Sequence, residues 1–156
     1  MEWLAPLGET WVAGALIRSP TLYIFANAGH ILSLAMLLGS SVILDLRLLG
    51  TLTRLPLADT AIVLSRIAAV ALACTVVTGA LLFSVRPLEY AGNTAFLIKI
   101  GLVLLGTANA LVLHRSQAWK RMLTGAPVMP LLRLSAIASL VIWLGALLGG
   151  RWIGFL

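Results

Sequence analysis

The sequence is short of charge, of acids and of cysteine. Only 10% of its 156 residues are Asp, Glu, Lys or Arg, where a soluble domain carries about a quarter. Five are acidic, two are histidine and one is cysteine. So little charge excludes a disordered chain and the solvated basic face of a nucleic-acid binder, so no nucleic-acid partner is expected. A single cysteine excludes a disulfide framework and any cysteine-rich metal site. There is no phosphate-cradling glycine loop, no pair of carboxylates within reach of each other and no Ser-His-Asp set. What is abundant is apolar: 61% of the residues. That balance is the signature of an integral membrane protein, with the lipid bilayer as its first partner.

A helix crossing the hydrocarbon core needs about 20 apolar residues. Four stretches meet that length: residues 22–44, 67–85, 94–113 and 134–150. Arg66 and Arg86 bracket the second, His114-Arg115 close the third, and Arg133 and Arg151 hold the fourth. Such side chains snorkel to the headgroups, so they mark the limits of each span. The connections are short and carry helix breakers (Gly50 and Pro56, Pro87 and Gly92, Gly125, Pro127 and Pro130). The expected fold is all-α, an up-down-up-down four-helix transmembrane bundle forming one membrane domain over residues 1–156. Residues 1–20 form an arm with Trp3 and Trp11, read as a short interfacial helix. Seven basic residues fall on the side of the first and third connections (Arg47, Arg54, Arg66, Arg115, Lys120, Arg121 and Arg133). Four fall on the other (Arg18, Arg86, Lys99 and Arg151). The positive-inside rule therefore places both termini in the periplasm if the membrane is a bacterial inner membrane.

Ionisable groups inside a span are costly, which makes each a candidate site. His30 lies eight residues past Leu22, about 12 Å into the membrane at 1.5 Å per residue. Equal depth counts, made from Arg86 and Arg151 on the second and fourth spans, put Thr78, Gly79, Gly101 and Trp143 at the same level. Asn27 and Ser41 share its helical face, which is expected to point into the bundle. His30 is read either as a ligand to haem iron or another metal, with the two glycines making room and Thr78 and Trp143 beside it, or as a buried imidazole joining helices. His114 falls about 15 Å further along the membrane normal, which argues against one haem held by both histidines. Asp45, Arg66, His114 and Arg133 gather at the opposite boundary, one from each span. They are expected to form an ion-pair cluster or a proton-linked gate. Gly145 and Gly149 make a small-xxx-small pair able to serve the bundle, a homo-oligomer or a partner subunit.

The run from His30 to Gly39, followed by Asp45 to Gly50, resembles the first span of a family of small four-helix bacterial inner-membrane proteins with no established activity. Thr78 to Tyr90 and Phe96 to His114 are similar to later segments of that family. More distantly the chain resembles the membrane domains of copper-resistance protein D and of small b-type cytochromes, which implies histidines on transmembrane helices as haem or metal ligands. Three function classes follow. One is a membrane subunit of a redox assembly, with haem b or a quinone near His30. Another is a structural or anchoring subunit for a membrane or periplasmic partner. The third is a transporter of copper or a small solute. None of the three requires an independent catalytic activity.

Overall fold

The computed structural model describes residues 2–152; Met1 and residues 153–156 lie outside the description. Helices follow in the order α1 (Ala5–Gly8), α2 (Trp11–Arg18), α3 (Pro20–Leu49), α4 (Leu57–Val85), α5 (Pro87–Gly92), α6 (Thr94–Arg115), α7 (Gln117–Leu123) and α8 (Pro130–Trp152), with a 3-10 turn at Glu2–Leu4 ahead of them. Four of these, α3, α4, α6 and α8, are long and apolar enough to cross a membrane. The chain is a multi-pass membrane protein built as an all-α four-helix bundle. Its outward side chains are those a bilayer accepts: Ile31, Leu104, Val112 and Leu148 are each well exposed on the helix surfaces.

The spanning helices start and stop where local chemistry permits. Ser19 caps α3 by accepting from the Leu22 amide, with Pro20 in the first turn, where its missing N–H costs nothing. Asn93 caps α6 through the Phe96 amide at 3.1 Å. Gly50 ends α3 in the left-handed region (φ 91°) while the Thr51 amide returns to the Leu46 carbonyl. Gly125 does the same after α7, at φ 95°. A side chain at either position would strain the backbone. The helices overrun the apolar stretches: α3 extends to Leu49, and α4 begins at Leu57, ten residues before the sequence estimate of 67. Arg66 marks a depth on α4 rather than its end, because helical hydrogen bonding continues past the hydrocarbon boundary.

Packing is uneven. Helix α3 lies along α4 and α8, and α6 lies along α8, whereas α4 and α6 have little backbone approach. They meet near their ends, through Ser65–His114 at one and through the stacked rings of Phe83 and Phe96 at the other, 5.4 Å apart. The antiparallel register can be read from contacts such as His30 with Thr78 and Asn109 with Ser135. One buried cluster joins Leu44, Leu48, Ala61, Trp119, Met122 and Leu132. A second joins Leu37, Ala71, Trp143 and Ala146 in mid-bundle. The arm is folded as α1 and α2 rather than as one helix. Ala13 and Leu16 of α2 are buried, while Trp11 is 79% exposed, so the arm both docks on the bundle and presents a tryptophan outward.

Candidate functional site

The bundle holds two polar regions separated by the dry layer of Leu37, Ala71, Trp143 and Ala146. In the first, the His30 ring faces Thr78, with Nδ1 2.9 Å from Oγ1. The Thr78 hydroxyl donates to the Cys74 carbonyl at 2.7 Å, so it accepts from His30, and Nδ1 carries the proton. The Thr75 hydroxyl donates to Ser33 at 3.0 Å, and Ser33 donates to the His30 carbonyl at 2.9 Å. These bonds, made through His30 Nδ1, Thr78, Thr75 and Ser33, tie α3 to α4.

Depth counting placed Thr78 and Gly79 beside His30, and both are there. A Cβ built on Gly79 would lie 3.2 Å from His30 Cε1, so the imidazole itself fills the space the glycine leaves. Gly101 is exposed, with nothing within 4 Å of its own Cβ position. It does not face His30. Trp143 is also elsewhere, packed with Leu37 and against Gly106, where a Cβ would stand 3.0 Å from the indole. Leu37 is seven residues beyond His30, about 10 Å along the helix. Counting along a helix gives depth but not the face a residue presents, and Gly101 faces outward although α6 begins at Thr94 as expected. On α6, Lys99 lays its stem along Gly149 and Gly150 of α8. Asn27 is exposed, so the inward face of α3 begins only at Ser33.

These residues do not fit a haem. A haem needs a nitrogen aimed into a slot as wide as its ring, and His30 lines neither of the two cavities described below. His114 is fully engaged: Nδ1 donates to the Ala110 carbonyl at 2.6 Å, and Nε2 lies 2.9 Å from Ser65 Oγ. Among the described residues, no three His, Cys, Asp or Glu side chains gather as a metal would require.

The second polar region is open. A cavity of about 310 Å³ lies between all four spanning helices. Its walls are Leu37, Ser41, Leu44 and Asp45 from α3, Ser65, Arg66, Ala68, Ala69 and Leu72 from α4, Thr107 to His114 without Ala108 and Val112 from α6, and Ser139 and Trp143 from α8. Asp45 is 4% exposed. Ser139 lines the same wall, and Asp45 Oδ2 is buried with no partner. Leaving such an atom unpaired costs about 1–3 kcal/mol. Three members of the expected boundary cluster, Asp45, Arg66 and His114, line this one cavity; Arg133 is exposed and does not. These three form no ion pair with one another, whereas Arg86 and Glu89 pair at 3.2 Å at the other end of the bundle. His114 instead joins α6 to α4. Ser65 also donates to the Ala61 carbonyl, so Ala61, Ser65, His114 and Ala110 form one hydrogen-bonded chain between the two helices. Trp119 of α7 covers the imidazole, with ring centres 4.3 Å apart.

Counting missed Ser65, Asn109 and Ser139. The signal was available on α8, where Ser135, Ser139 and Trp143 recur every four residues and so share one face. Asn109 and Ser135 bond across α6 and α8 at 3.0 Å. A larger, open groove of about 990 Å³ lies at the far end, between α2 with the start of α3 and the segment from Val85 to Asn93. There burial among its neighbours holds the Tyr90 phenol above its usual pKa.

No curated protein and no solved structure matches the chain. A family of unknown function, DUF6644, matches residues 10–156. The chain belongs to that family.

Proposed function

We propose that this member of the family is a membrane subunit of a redox assembly and that it holds a quinone, with the ring seated in the cavity beside Asp45. The observation that carries this reading is the unpartnered Oδ2 of a carboxyl 4% exposed, on the wall of a mainly apolar cavity. Binding sites for small molecules combine apolar walls with a few placed polar groups. A protonated Asp45 donates to a ring carbonyl, and a ring hydroxyl donates to the ionised form, so this one side chain serves both the quinone and the quinol. Ser139 supplies a further hydrogen-bonding group on the same wall. The electrons belong to a partner protein of the assembly; Asp45 holds a proton next to the ring. With seven basic residues on the Asp45 side, that half faces the cytoplasm and both termini are periplasmic in a bacterial inner membrane.

The test is extraction of the protein in native-membrane nanodiscs, with quinone content and the visible spectrum measured on one sample. The expected result is quinone enriched over the surrounding lipid to about one per chain, as a single-site ligand requires. It should come without a Soret band. A Soret band that disappears in His30→Ala contradicts the reading, and so does quinone at its bulk-lipid ratio.

A further inference from the structure

We infer that the ligand is a long-tailed quinone that exchanges sideways with the bilayer, its ring on Asp45 and its tail leaving through a mouth between α4 and α6. The inference rests on the quinone reading and adds the tail and the route. The geometry of the cavity wall points to it. Every lining residue from α3 and α8, Asp45 and Trp143 among them, is buried, whereas the exposed lining residues are Arg66 and Ala69 on α4 and Leu111 on α6. The open side is therefore the gap between the two helices whose backbones stay apart. The gap is bounded at one end by the Ser65–His114 bond and at the other by the Phe83–Phe96 stack.

The chemistry of the lips identifies what passes. Ala69 and Leu111 are apolar and lie within the span, so the mouth opens onto acyl chains rather than water. Arg66 stands one turn nearer the headgroups, marking the level of the polar boundary. A cavity of about 310 Å³ is at the small end of ligand sites. It takes a ring and leaves a tail of several isoprenoid units outside. A water-soluble ligand would need a polar path, and on the Asp45 side α7 closes that end with Trp119 and Met122, both buried.

The experiment measures equilibrium binding of two quinones, one with a long isoprenoid tail and one with none, to the full chain in nanodiscs. Ala69→Trp and Leu111→Trp fill the mouth from opposite lips. In either variant the long-tailed quinone is expected to bind about tenfold more weakly, the scale of an added side chain occupying used space. The tail-less quinone should keep its wild-type affinity, while Asp45→Asn weakens both. If both lip variants bind the long-tailed quinone as wild type does, or weaken the two ligands equally, the lateral route is wrong although the Asp45 site stands. If the wild type binds neither quinone, or native mass spectrometry finds a phospholipid in its place, the quinone reading itself falls and the route with it.

Discussion

The His30 half and the Asp45 half of this bundle handle buried polarity in opposite ways. Around His30 the described hydroxyls each have a partner, and the ring occupies the space beside Gly79. Around Asp45 a carboxylate oxygen is left without one, and the helices stand back to leave a cavity. A membrane protein gains from closing its polar groups onto one another, because lipid offers no substitute for water. The closed half is what stability favours. An open half is retained at a cost, and the difference marks where a ligand would supply the missing bond.

Substitutions can break this contrast, beginning with the largest effect. Leu37, 2% exposed, belongs to the dry layer between the halves. Leu37→Ala should lower stability in mixed-micelle unfolding by about 2–5 kcal/mol; a loss below about 0.5 kcal/mol would mean that the layer is loosely packed. Asp45→Leu should have two opposed effects. Quinone binding falls by about tenfold to a hundredfold, the worth of a hydrogen bond to a charge-capable group, while the empty protein becomes more stable by about 1–3 kcal/mol because the orphaned oxygen is gone. Destabilisation of the empty protein would show that Asp45 is a satisfied structural residue. Gly106→Ala sets a Cβ 3.0 Å from the Trp143 indole and should cost about 1–3 kcal/mol by overpacking.

The smallest effects sharpen the closed half. Thr78→Val removes one interhelical bond and should cost about 0.6 kcal/mol, the average for such bonds in membranes, with no change in quinone affinity. Gly101→Ala meets open space and should be neutral or slightly stabilising, as alanine is the better helix former. A large loss there would restore Gly101 to a packed site.

Much of the fold was legible because lipid imposes one rule on every span: an apolar stretch long enough to cross must be helical. Thr78 and Gly79 were found by depth because α3 and α4 are joined by a short connection and pack along their lengths. Trp143 and Gly101 were misplaced because a depth count records neither the face a residue presents nor how α8 is offset along α3: Gly101 is exposed, and Trp143 packs with Leu37. Asp45, Arg66 and His114 were singled out as a boundary group, but pairing among them was expected, and hydrogen bonding went elsewhere. His114 took Ser65 and the Ala110 carbonyl. Sequence shows which groups need partners, while cavities arise from partners that stay apart, as α4 and α6 do.

The most direct test of the central claim, that the ligand site is at Asp45 and not at His30, is photolabelling with a quinone carrying the reactive group on its ring. Peptide mapping by mass spectrometry then reads the position of the adduct. The account predicts label on α4 between Arg66 and Leu72 or on α6 between Thr107 and His114, competed by unlabelled quinone and lost in Asp45→Leu. Label concentrated around His30 and Thr78, and unaffected by Asp45→Leu, would contradict it.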